Sequence, residues 1–112
     1  MSTQQIPYIH WSDYKSNDPK KPDILEIQII TEETFPTTYS ENSHVKLLQN
    51  NQWEERILPL QNYNSDNTEL MQAWMRAEKL GKIKPDNKIK IHTWLGKSKK
   101  NPERNMRRFR IR

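Results

Sequence analysis

The sequence predicts a mainly β domain with one helix between the third and fourth strands. Three observations carry this. Five short segments alternate apolar and polar residues or are rich in strand formers, one segment repeats its apolar residues at helical spacing, and glycine occurs only at Gly81 and Gly96. The chain has 112 residues, which suits one domain. Only 32% of its residues are hydrophobic, and Leu, Ile, Val and Phe together number 22. That composition borders on the disordered range. Four Trp and four Tyr supply bulk for a thin core in which aromatics stand beside Ile and Leu.

The strands begin at Ile24. Leu25, Ile27 and Ile29 alternate with Glu26 and Gln28, the pattern of a half-buried strand. Thr37, Thr38 and Tyr39 resume strand character beyond Pro36, before a polar break at 40–43. The next strand is expected at 44–49, with Val45 and Leu47 on one face. Asn50, Asn51 and Gln52 then turn the chain into a third strand near 53–60, where Pro59 suits an edge or a bulge. These three strands form a meander.

The period then changes. Leu70, Ala73, Trp74, Ala77 and Leu80 share one helix face, widened by Met71 and Met75. Asp66 and Glu69 have capping-box spacing, and Gly81 stands where a left-handed C-terminal cap is wanted. After the helix, Ile89, Ile91, Thr93 and Leu95 alternate with Lys88, Lys90, His92 and Trp94. Phe109 and Ile111 similarly oppose Arg108, Arg110 and Arg112. The stretch Gly96 to Met106 joins these two strands and carries Lys97, Lys99, Lys100 and Arg104. Residues 1–23 have no sustained period and three prolines, so they read as a flexible or loosely docked arm, with Tyr8, Trp11 and Tyr14 available for docking on the domain or on a ligand.

Charge is distributed unevenly. Residues 1–81 hold 7 Lys+Arg against 12 Asp+Glu, a balance of −5, while residues 82–112 hold 12 against 2, a balance of +10. A cationic surface of this kind suits a polyanion, because lysine and arginine displace counterions from phosphates. The excess falls on a patterned hairpin rather than on a featureless tail. Trp94 shares the polar face with Lys88 and Lys90, so a base could stack on it while phosphates meet the neighbouring cations. Trp74, on the apolar helix face, reads as core. Trp53 either covers the bottom of the domain or lines the groove. Arg108 and Arg110 would also protect an edge strand, and Lys79, Lys82, Lys84 and Lys88 would also solubilise.

The order strand, strand, strand, helix, strand, strand over residues 24–112 resembles the OB-fold. That resemblance implies a small five-stranded barrel with the helix between strands 3 and 4, whose loops between strands 1 and 2 and between strands 4 and 5 flank a ligand groove. It also implies a single-stranded nucleic-acid partner, although the fold serves oligosaccharide and protein recognition as well. The expected function is sequence-tolerant binding of single-stranded nucleic acid, DNA before RNA, through Trp94, Lys88, Lys90, His92, Lys97, Lys99, Lys100, Arg104, Arg107, Arg108, Arg110, Tyr39 and Trp53. With about five or six phosphates neutralised, log affinity should fall with log salt at a slope near −4. A structured-RNA or duplex binder and a protein-interaction module are the alternatives. Combining several OB-fold units makes a homo-oligomer or a partner in nucleic-acid processing an expectation too.

Other chemistries lack their residues. Without cysteine there is no disulfide, thiol nucleophile or cysteine-based zinc site. His10, His44 and His92 are far apart in sequence, two glycines make no phosphate loop, and in a strand the members of Glu32–Glu33 and Glu54–Glu55 point to opposite faces. No enzyme activity, metal or cofactor is expected. The apolar runs are too short to cross a bilayer and the first ten residues do not form a signal peptide, so the expectation is a cytoplasmic protein with no membrane partner.

Overall fold

The structure, a computed structural model, describes residues 5–97 and 101–112. The strands are β1 (Asp23–Pro36), β2 (Ser40–Gln49), β3 (Gln52–Asn62), β4 (Lys88–Lys97) and β5 (Asn105–Ile111). One helix, α1 (Glu69–Lys79), lies between β3 and β4. The five strands form a single sheet in the order β3-β2-β1-β4-β5, every neighbouring pair antiparallel. The predicted class, mainly β with one helix after the third strand, is the observed one.

The expected barrel does not close. The two edge strands, β3 and β5, run in the same direction but share no ladder. Two elements span the gap instead. Helix α1 packs on both β5 and β3. The N-terminal segment also crosses between them. The Ile9 N–H donates to the Ile57 carbonyl and the Ile57 N–H to the Pro7 carbonyl, each at 2.9 Å, which adds a short parallel bridge to the free edge of β3. A 3-10 turn at Trp11–Asp13 follows. The Trp11 indole N–H donates to the Pro59 carbonyl at 3.3 Å, and its ring meets Phe109 of β5 edge-on, centroids 4.9 Å apart. On the β5 side, Arg107 Nη2 donates to the Tyr14 carbonyl at 2.7 Å. Ile9 is buried in the core.

That core lies between the inner face of the sheet and the helix. In register, Ile27 stands opposite Leu47 on one side and Ile89 on the other, and Leu25 opposite Ile91. Trp74, fully buried, joins Leu70 and Ala77 in covering them from the helix. Asn50 and Asn51 both have positive φ, 51° and 64°, as the tight two-residue β2–β3 hairpin requires. The helix ends as expected at Gly81 (φ 77°): its N–H donates to Glu78 and that of Lys82 to Ala77, the paired bonds of a Schellman motif.

Three local expectations are corrected. Thr37, Thr38 and Tyr39 are not strand but the turn between β1 and β2, where the Thr37 N–H donates to the Ser40 carbonyl at 2.8 Å. The polar stretch 40–43 is not a break but the start of β2. Ser40, Asn42 and Ser43 are buried, and Ser40 Oγ donates to Asn42 Oδ1 at 2.7 Å while Asn42 Nδ2 donates to the Ser40 carbonyl at 3.0 Å. Internal pairing lets Ser40 and Asn42 enter the sheet interior, while the Ser43 hydroxyl is buried without a partner. Nor is there a capping box at Asp66: the residue before the helix is Thr68, whose side chain makes no cap, the Glu69 N–H donates to Asn67 Oδ1 at 3.1 Å, and the Glu69 carboxylate turns to β5.

Candidate nucleic-acid interface

Strand β4 sorts its side chains by parity. Ile89, Ile91 and Thr93 point inward and are buried, leaving Lys88, Lys90, His92 and Trp94 on the outer face. On β5, Phe109 points inward and Arg108 and Arg110 outward. The register sets Trp94 opposite Arg108 and His92 opposite Arg110. The Arg110 guanidinium carbon lies 5.7 Å from the centre of the Trp94 ring, within cation–π range. Gly96, two residues on, makes room for both side chains. A Cβ placed there would meet Arg108 Cγ at 3.1 Å and Trp94 Nε1 at 3.5 Å, so the absence of a side chain lets the indole lie along the strand.

Trp94 lines a cleft of about 380 Å³ between β5 and α1, in which Glu69 also stands, paired with Arg108. Arg76, Leu80, Lys82 and Arg110 line it as well, with Leu80 73% exposed. Among the described residues, no carboxylate comes within 4.0 Å of Arg76, Lys82 or Arg110. A hydrophobic ring therefore lies among three unneutralised cations. Burial, and after it the charges of Arg112, Arg110 and Lys90, hold His92 below the ordinary imidazole pKa. The imidazole thus registers the positive field of this face.

The residues expected to bind are distributed over several places. Trp94, Arg110 and His92 come together, with Lys90 beyond His92 on the same face, its Nζ 4.0 Å from Glu26. Lys88 stands six residues from Trp94, about 20 Å along an extended strand. Its Nζ lies 5.2 Å from the ring centre of Trp53, on β3, so these two form a pair of their own. Lys97 and Arg104 are exposed at the end of the hairpin, and Lys99 and Lys100 fall outside the described residues. Arg108 is on the outer face but is neutralised: its Nε donates to both Glu69 oxygens, at 3.1 and 2.8 Å, and the Phe109 N–H donates to the same carboxylate at 3.0 Å. This joins the start of the helix to β5. Arg107 takes the inner face, donating to Thr93 Oγ1 at 3.2 Å as well as to Tyr14, and burial lowers its pKa against the opposing charge of Asp23. Tyr39 is 69% exposed and lines a different cavity.

Arg76 and Lys82 were not expected at the site. For Arg76 the signal lay in the spacing. Ala73, Arg76, Ala77 and Leu80 stand at i, i+3, i+4 and i+7, one stripe whose small residues let the strand approach. No group of three or more His, Asp or Glu among the described residues is placed to hold a metal ion, and no described helix is long and apolar enough to cross a membrane. No protein-family model matches the chain, and neither a curated protein nor a solved structure is significantly similar to it.

Proposed function

We propose that this chain binds single-stranded nucleic acid with little regard to sequence, through an OB-like sheet whose working surface is the outer face of β4 and β5. The supporting observation is the setting of Trp94: an indole on a strand's polar face, stacked by Arg110 and sharing its cleft with the unpaired cations Arg76 and Lys82. A base on that ring contributes roughly 1–3 kcal/mol, and the cations around it neutralise the adjoining phosphates. Every base has a π-face, so such a site is tolerant of sequence.

Titration with oligo-dT, followed by tryptophan fluorescence, tests the proposal. Quenching should saturate, weaken with added salt, and be largely lost in Trp94→Ala. Binding that does not change between roughly 50 and 200 mM salt would sink it, since each neutralised phosphate contributes about −0.7 to the logarithmic slope. A tenfold preference for duplex DNA or folded RNA over poly-dT would reassign the face to shape recognition.

A further inference from the structure

A second cavity, of about 480 Å³, opens where β3 and β5 fail to pair and the N-terminal segment crosses between them. It is built unlike the Trp94 cleft. Ile9, Leu60 and Phe109 give it a buried apolar lining. Trp11 and Tyr39 add two aromatic side chains, one packed and one exposed. Trp11 is positioned by its bond to the Pro59 carbonyl and by its edge contact with Phe109. Tyr39, 69% exposed, stands at the tip of the β1–β2 turn. A volume of this size is within the range of small-ligand pockets.

The polar side of the cavity selects the ligand. Arg107 lines it, and two of the guanidinium's five N–H groups are used, on Thr93 Oγ1 and the Tyr14 carbonyl. No carboxylate among the described residues lies within 4.0 Å of Arg107; Asp23 acts on it only from farther away, so the guanidinium keeps N–H groups and part of its charge for an anion. Asn62, also in the lining, offers its amide to the edge of a ring, whereas the Thr37 hydroxyl is already bonded to the Ser40 carbonyl. The aromatic walls suit a planar ring, the Asn62 amide suits the edge of a heterocycle, and the guanidinium suits an attached anion.

We infer that this cavity binds one nucleotide unit, its base beside Trp11 and Tyr39 and its phosphate at Arg107. The choice of a nucleotide over other aryl anions rests on the nucleic-acid reading of the outer face, whereas the cavity itself does not depend on that face. Its source is either a free mononucleotide or the phosphorylated end of a strand.

The experiment is calorimetric titration of the full chain with thymidine 5′-monophosphate and with thymidine, repeated on Tyr39→Ala, Arg107→Gln and Trp94→Ala. Circular dichroism checks each fold. Tyr39 is exposed, so its removal tests the site even if Arg107→Gln unfolds. Expected are saturable binding of the monophosphate, at least tenfold weaker binding of the nucleoside, a loss of about tenfold in Tyr39→Ala, and no change in Trp94→Ala. Absence of saturation up to millimolar ligand overturns the inference, whether or not oligo-dT binds at Trp94, so the two readings fail separately. Binding lost in Trp94→Ala but kept in Tyr39→Ala also overturns it, as does equal affinity for the nucleoside. Competition by 5′-phosphorylated oligo-dT but not by its 5′-hydroxyl form supports the inference with a strand end as the source. If neither form competes with the bound monophosphate, the inference stands with the free nucleotide as the source.

Discussion

The two faces of β5 treat the same residue type in opposite ways. On the inner face Arg107 is half-buried, its guanidinium donating to a threonine hydroxyl and a backbone carbonyl from the N-terminal segment. On the outer face Arg110 is exposed, rests on an indole, and has no acidic partner among the described residues. Arg108 has the outer position but an inner role, because Glu69 neutralises it and links it to the helix. Position along a strand gives the face, while the partner decides whether a charge serves the fold or remains available. The +10 excess of residues 82–112 therefore overstates the charge that a ligand meets.

The widest contrast between interior and surface lies in two tryptophans. Trp74→Ala removes a fully buried ring at the centre of the core and should cost about 3–5 kcal/mol, enough to unfold a marginally stable domain of this size. Trp94→Ala should change stability by less than about 1 kcal/mol, as surface substitutions do, while costing roughly 1–3 kcal/mol of oligonucleotide affinity. Urea denaturation paired with fluorescence titration separates the two. Comparable loss of stability in both would make Trp94 a packing residue and remove the stacking platform.

Glu69→Ala comes next. It leaves Arg108 unpaired and the Phe109 N–H without its acceptor, and should cost about 1.5–3 kcal/mol. It also frees a cation beside the cleft, so the salt dependence of oligonucleotide binding should steepen by up to about 0.7. The same logic separates neighbours. Arg110→Gln should reduce the slope by about 0.7, and Arg108→Gln should leave it nearly unchanged. Equal effects would mean that the Glu69 pair does not hold in solution.

The sequence showed some of this and hid the rest for identifiable reasons. In β4, Ile89, Ile91 and Thr93 are buried and their neighbours are not, so a one-sided environment wrote itself as alternation. The Schellman cap was legible because only glycine adopts its geometry easily, and Gly81 is there. Ser40 and Asn42 misled because their burial depends on hydrogen bonds to one another, which residue polarity does not disclose, and Ser43 is buried with its hydroxyl unpaired. Glu69 misled because its partner is 39 residues away rather than in its own first turn. The segment around Trp11 has no period at all, since its contacts at Pro59 and Phe109 belong to opposite edges of the sheet. Trp94 was legible as an aromatic on a polar face, but its cleft required a helix stripe and a strand to meet.

His92 offers the finest measure of the outer face. Its pKa is lowered, first by burial and then by Arg112, Arg110 and Lys90, so the folded state disfavours the imidazolium. The unfolded chain then binds more protons just below the ordinary value of 6.5, and folding stability is full above that pH and declines as pH falls through it towards the folded value. A bound phosphate chain would counter the same three cations, so it should raise the midpoint of His92. Affinity for oligo-dT must accordingly increase as pH falls across the His92 titration, with uptake of a proton on binding. An NMR titration of the imidazole signals with and without oligo-dT, assigned with His92→Gln, reads the shift directly. A midpoint that stays put under saturating oligonucleotide would place the phosphates elsewhere and return the outer face of β5 to the role of a solvated edge.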